Sequence, residues 1–238
     1  MSENFRSNGA KKIAGDEHIC ALKNPPPIKK RLIAIYDALL NHFGYRHWWP
    51  GDSPFEIIVG AILTQNTAWK NVEKAIDNLK RKKLLSPKRM QQVETELLAE
   101  LIRPAGYYNQ KARKLKAFLN VLFENYCGSL DELFKLDTPK LRSELLSIWG
   151  IGEETADSII LYAAFKPTFV VDAYTKRILT RKGIVDNDAK YADIKQLFES
   201  NLERNIKLFN DYHAQFVALG KNICQKVPIC GKCPIRSL

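Results

Sequence analysis

The chain has 238 residues, 45% of them apolar, which is enough for one large domain or two small ones sharing a cleft. A formal net charge of +11 favours a polyanionic partner, with nucleic acid ahead of an anionic membrane. No apolar run approaches the roughly eighteen residues of a membrane span, the polar opening stretch lacks the character of a signal peptide, and five cysteines, three crowded at one end, do not make a secreted disulfide framework. These features exclude a secreted or membrane protein and leave a cytoplasmic, nucleoid-facing one.

Residues 1–27 carry Ser, Asn, Gly and Lys without periodic apolar positions and close on Pro25-Pro26-Pro27, so they read as a flexible tail with a stiff stop. Cys20 within it reads as incidental. From Ile28 the apolar residues Leu32, Ile35, Tyr36, Leu39, Leu40 and Phe43 recur at helical spacing, and Gly44 ends the run. His47-Trp48-Trp49-Pro50-Gly51 follows as a loop. Two adjacent loop tryptophans either pack into a domain junction or offer a stacking platform to an extruded base.

Ser53-Pro54-Phe55-Glu56 has the residues of a capping box with Pro at the first helical position. The helix it opens is apolar on most sides and belongs to the core. It runs out at Leu63-Thr64-Gln65-Asn66-Thr67, uncharged groups suited to bases or sugars, and Trp69 just beyond could face the same space or pack between helices. An amphipathic helix over 69–84 ends in Lys80-Arg81-Lys82-Lys83, which is either a solvated face or a phosphate contact. A helix over 88–101 precedes the turn Arg103-Pro104-Ala105-Gly106-Tyr107-Tyr108-Asn109-Gln110-Lys111-Ala112. Further helices are expected over 111–126, 138–148, 190–202 and 206–219. Cys127 reads as a small buried or semi-buried residue. No stretch alternates with period two, so the fold class is all-α.

Leu145 to Arg181 carries the chemistry. A helix end leads into Gly150-Ile151-Gly152, a tight turn whose glycines let backbone approach another molecule. Glu153, Glu154 and Thr155 open the next helix, and its first amides suit a phosphate oxygen. The apolar run Phe169-Val170-Val171 then delivers Asp172 to a helix start, where it is an N-cap, a catalytic carboxylate or both. Near the end, Cys224, Cys230 and Cys233 fall within ten residues, which points to a metal site more than to disulfides. Zinc on these cysteines plus His213 is one arrangement such a site could take.

L-x-x-x-x-G-x-G-x-x-T-A followed by V-D about twenty residues on resembles the helix-hairpin-helix and catalytic aspartate of the endonuclease III superfamily of DNA glycosylases. The resemblance covers residues 28–238 and implies two helical domains flanking a DNA-binding cleft: 53–166 with the hairpin, and 28–52 joined to 167–238 with the Cys-rich loop. It implies that Gln65 and Asn66 reach the lesion, that Tyr107 wedges into the duplex, that Asn109 caps the following helix and with Lys111 holds the backbone, and that Gly150, Gly152 and Thr155 meet DNA. It also implies a base pocket at Trp48, Trp49 and Trp69, and a [4Fe-4S] cluster on Cys224, Cys230 and Cys233. The family spacing C-x6-C-x2-C-x5-C is one residue longer in its first gap and puts a fourth cysteine just past Leu238.

Bifunctional members of the superfamily place a Schiff-base lysine where this chain has Glu154, so the resemblance implies a monofunctional enzyme. Asp172 and Glu154 are then the expected catalytic carboxylates. GIGEETAD, WWP, LTQNT and RPAGYYNQKA are most similar to the bacterial 3-methyladenine DNA glycosylase branch, which implies excision of an alkylated purine by a monomer acting on damaged or mismatched double-stranded DNA. Alternatives are a mismatch uracil or thymine glycosylase, an endonuclease III-like bifunctional enzyme, and a non-catalytic damage-binding protein.

Overall fold

A computed structural model describes residues 26–238; residues 1–25 of the expected tail, Cys20 among them, lie outside the described residues. Among those residues there are helices and turns and no strand. Helix α1 (Ile28–Phe43) stops where expected, because Gly44 takes φ +69° and returns its amide to Leu40 O at 2.8 Å. Helix α2 (Pro54–Leu63) starts on Ser53, whose hydroxyl accepts from the Glu56 amide at 3.2 Å. Only half of the expected capping box forms. The Glu56 carboxylate reaches the Asp52 amide at 3.4 Å and pairs with Lys80 at 2.8 Å instead. Every residue of α2 from Phe55 to Leu63 is buried, so this helix is the centre of the core.

Helix α3 spans Trp69–Arg81. The single helix expected over 88–101 is two, α4 (Pro87–Gln92) and α5 (Thr95–Leu101), because Val93 is extended with ψ 139°. The break leaves carbonyls free, and the Lys116 ammonium takes those of Met90 (2.9 Å), Gln91 (2.8 Å) and Val93. Helix α6 spans Tyr108–Tyr126 and opens three residues before the expected start. Cys127, expected buried or semi-buried, is exposed in a left-handed turn at its end. A short α7 (Leu130–Phe134), not predicted, precedes α8 (Thr138–Ser147). Helix α9 (Glu153–Ser158) continues as a π-helical turn, Ile159–Ala163, every residue of which is buried. Helices α10 (Ala173–Arg181), α11 (Tyr191–Asn201) and α12 (Ile206–Asn222) complete the chain.

Packing joins the two ends of the sequence. Helix α1 lies on α11 and α12, with Tyr212 donating to Leu32 O at 2.8 Å and Arg31 to Lys182 O at 2.6 Å. Helix α2 packs on α3, α6, α9 and the π-helical turn, and that turn also touches α12. Between α9 and α10 the chain is extended. Phe169 there stacks on Phe198 with ring centres 3.8 Å apart, which anchors the segment delivering Asp172. Asp157, fully buried, accepts from Arg142 (3.0 Å) and Tyr191 (2.9 Å) and lies 3.4 Å from the Lys195 ammonium, tying α8, α9 and α11 together. A buried carboxylate persists only when so paired.

Candidate active site

Asp172 caps α10, its Oδ1 accepting from the Thr175 amide at 2.7 Å, so the expected N-cap is present. The residue lines a cavity of about 650 Å³ walled also by Trp48, Trp49, Trp69, Glu154 and His213. Burial pushes the Asp172 carboxyl up, but the facing His213 ring and the Thr175 amide outweigh it and hold the group below the ordinary carboxylate range. The acid is therefore ionised at neutral pH. Glu154 lies across from it and behaves in the opposite way: desolvation in the cleft and the Asp172 charge raise it to about 7, against a lowering by His213. Its side chain is open to cleft water in the free protein, which screens part of that effect.

The sign of the linkage gives a prediction. A carboxyl raised from the ordinary 4.5 to about 7 costs nothing below the lower value, and its full cost appears above the upper one. Glu154→Gln should then raise Tm at pH 8 by roughly 1–2 °C after screening and leave it unchanged at pH 4.5. Paired thermal melts at the two pH values read this directly; an equal shift at both would contradict the coupling.

The three tryptophans form one aromatic wall. Trp49 meets Trp69 edge to face at 5.3 Å, Trp48 lies 5.3 Å from Trp49 and 5.8 Å from Trp69, and Trp49 rests on Tyr162 at 5.2 Å. They pack and also line the cavity, so the two readings of the Trp48-Trp49 loop are compatible. The buried indole N–H groups of Trp48 and Trp49 have no acceptor, whereas that of Trp69 donates to Glu73 at 2.9 Å.

The hairpin has its expected form at Gly150, where φ is +84° and a Cβ would meet the Lys114 side chain at 2.6 Å. Gly152 is extended and faces open space, ready for a close approach. Thr155, expected to face DNA, is buried. Its hydroxyl accepts from Gln65 Nε2 at 2.7 Å, while Gln65 Oε1 accepts from the Lys114 ammonium. The residue after Gln65, Asn66, holds a left-handed φ of +53°. The sequence had marked Gln65 as reaching out; the fold ties it to the hairpin helix because both lie on one wall of the cleft.

Tyr107 is 68% exposed at the mouth of α6 and held at φ +46°, a conformation costing a non-glycine residue about 1–2 kcal/mol. Asn109 does not cap α6; the cap position is Tyr107, and no side chain serves it. Lys111 is turned inward, not toward a phosphate. Its ammonium is buried and donates to Leu63 O at 2.9 Å and Ala105 O at 2.8 Å, joining the end of α2 to the turn beneath Tyr107. Burial, then the Lys114 charge, lower it to about 8. Lys111→Met should leave two buried carbonyls unpaired and cost about 2 kcal/mol, a fall in Tm of roughly 4–8 °C by thermal melt. An unchanged Tm would show that water replaces the ammonium.

Sequence reasoning missed Trp149, half exposed just before Gly150 with the Arg113 guanidinium 4.8 Å over its ring. It also placed His213 with the cysteines. The structure puts the ring at Asp172, with Nε2 3.6 Å from Oδ2 and Nδ1 2.5 Å from the Tyr162 hydroxyl, so the zinc arrangement is not formed. The available signal was a polar residue on the stripe of α12 otherwise filled by Phe209, Tyr212 and Phe216. The three C-terminal cysteines line a separate small recess, about 30 Å³, with Ile178, Arg181 and Ile235. Among the described residues no three His, Cys, Asp or Glu side chains stand ready to hold one ion, and no helix is long and apolar enough to cross a membrane.

A helical hairpin beside a cleft that holds a shielded carboxylate and an aromatic wall defines a surface suited to DNA. The family described as HhH-GPD superfamily base excision DNA repair protein matches residues 59–204, and the chain belongs to it. It is 50% identical over 204 residues, 85% of this chain and 92% of the other, to a Methanocaldococcus jannaschii protein provisionally named a DNA repair glycosylase. It is 32% identical over 184 residues to the endonuclease III of Sulfolobus acidocaldarius, covering 76% of this chain and 79% of that one. The solved structure of Helicobacter pylori 3-methyladenine DNA glycosylase bound to 1,N6-ethenoadenine superposes with a TM-score of 0.70 at 28% identity, over 82% of this chain and 98% of that one.

Proposed function

We propose that the protein is a monofunctional DNA glycosylase of base excision repair that hydrolyses the N-glycosidic bond of an alkylated purine in duplex DNA. The observation that carries this reading is the pairing of Asp172 and Glu154 on one tryptophan-walled cavity, with a carboxylate at the position where bifunctional relatives place an amine. As the glycosidic bond lengthens, C1′ gains positive charge. Asp172, ionised and largely shielded from solvent, stabilises that charge and orients the attacking water. A carboxylate at position 154 forms no imine with the sugar, so the strand stays uncut.

A cationic purine is favoured twice, by stacking against the tryptophans and by the ionised Asp172. The likeness to a 3-methyladenine glycosylase supports the same base class. Gly150, Gly152 and the first amides of α9 would hold the phosphates flanking the lesion, and Tyr107 would fill the vacated stack. A panel of duplexes carrying methylated purines, 1,N6-ethenoadenine, U:G, T:G and oxidised pyrimidines tests the base class. Methylated purines should be released fastest; release of U or T alone would replace this reading with a mismatch glycosylase.

The C-terminal recess fits an iron–sulfur group in donor chemistry. Three thiols share it, and Arg181 donates to Cys224 Sγ at 3.3 Å, a contact that favours a thiolate. Burial and the neighbouring thiols raise the Cys233 thiol, a cost that a bound cation would remove. Cys224, Cys230 and Cys233 would hold three irons of a [4Fe-4S] cluster, which when bound would tie the C-terminal loop to the end of α12. Iron content and a visible absorption spectrum of protein purified without oxygen are the measurements; iron-free, colourless protein with intact fold would remove the cluster from this proposal.

A further inference from the structure

We propose that His213 is the positioning residue for Asp172, and that Tyr162 sets the tautomer in which it acts; the inference deepens the glycosylase reading above and rests on it. The His213 ring is 5% exposed, and its Nε2, buried without a hydrogen-bond partner, faces Asp172 Oδ2 at 3.6 Å. Its Nδ1 lies 2.5 Å from the Tyr162 hydroxyl. A histidine that only filled space would not leave an unpartnered nitrogen aimed at a carboxylate.

The two ring nitrogens have distinct duties. With the proton on Nδ1, Nε2 would present a lone pair to an ionised carboxylate where little water screens the repulsion. With Tyr162 donating to Nδ1, the proton resides on Nε2 and points at Asp172. The spacing of 3.6 Å is longer than a hydrogen bond, so the ring steers Oδ2 without consuming the lone pair needed by a water. Oδ1 is already fixed by the Thr175 amide at 2.7 Å. One carboxylate oxygen is therefore pinned and the other is aimed. Tyr162 is fully enclosed in the π-helical turn, its ring against Trp49, so the hydroxyl that selects the tautomer is itself held by the pocket wall. Histidine in this arrangement orients the acid by the same logic with which outer partners orient a catalytic base.

The test uses duplex DNA methylated at its purines and single-turnover excision. His213→Leu should slow release about 100-fold, the loss expected when a reacting group is misaimed, with DNA affinity unchanged. His213→Gln, which restores an N–H donor, should recover part of the rate, and Tyr162→Phe, which deletes one hydroxyl, should cost about tenfold. In an Asp172→Asn background His213→Leu should add nothing, because its effect passes through the carboxylate. A loss appearing in DNA affinity, or one that adds in full to Asp172→Asn, would overturn the proposal. Nitrogen-15 shifts of the His213 ring in the free wild-type protein give a readout independent of substrate: protonated Nε2 and an acceptor Nδ1 are expected, and the reverse tautomer would overturn the assignment. Inactivity of Asp172→Asn with full activity of His213→Leu would sink this inference alone, whereas full activity of Asp172→Asn would sink the glycosylase reading beneath it.

Discussion

Asp172→Asn is expected to lower single-turnover base excision by about 10²–10⁴-fold, the range for removing a positioned catalytic acid or base, while damaged duplex binds within threefold of wild type. The substitution isolates chemistry from folding for a structural reason. Asparagine is as good an N-cap as aspartate, so the 2.7 Å contact to the Thr175 amide can persist. The His213 and Thr175 contacts that hold the charged carboxylate below its ordinary range make it modestly stabilising, and relief of the raised Glu154 carboxyl offsets part of its loss, so the melting temperature should stay level or fall slightly. Excision by electrophoretic gel after alkaline cleavage, affinity by fluorescence anisotropy and Tm together decide the matter. A variant excising near the wild-type rate would remove Asp172 from the mechanism.

Borohydride added during turnover is expected to trap no covalent protein–DNA adduct with the wild type and a readily visible one with Glu154→Lys. An imine needs a primary amine within reach of C1′; residue 154 shares the cavity with Asp172, and a lysine there would be flanked by an ionised carboxylate able to take its proton. The assay has a built-in rival. Lys114 lines the adjoining part of the cleft, is lowered by burial, and is engaged by Gln65 Oε1. If the wild type traps strongly, the monofunctional reading falls, and Lys114→Gln then shows whether that amine is the source. Denaturing gels of trapped product distinguish the three proteins in one experiment.

What the sequence by itself determined was local. Ser53 and Pro54 start α2, Gly44 ends α1, Gly150 makes the hairpin turn, and Asp172 caps α10; each depends on backbone groups within four residues, which composition and spacing reveal. Glu154 was informative in the sequence for the same reason, since its place is counted from the hairpin glycines. What only the tertiary structure decided were the partners. Lys111 looked like a phosphate contact and is a buried strut to Leu63 and Ala105. Gln65, implied by the resemblance to reach the lesion, is tied to Thr155, ninety residues away. Helix 88–101 looked continuous and is broken at extended Val93, where a lysine from α6 takes the carbonyls the break leaves free. His213 looked like a spare metal ligand and faces the acid. Periodicity tells which face of a helix is buried but not which other helix covers it, and the burial of charged and polar groups is tolerable only through partners that this covering supplies. Asp172 could therefore be found from the order of residues, while its neighbours His213 and Tyr162 came from the packing of α12 and the π-helical turn around it.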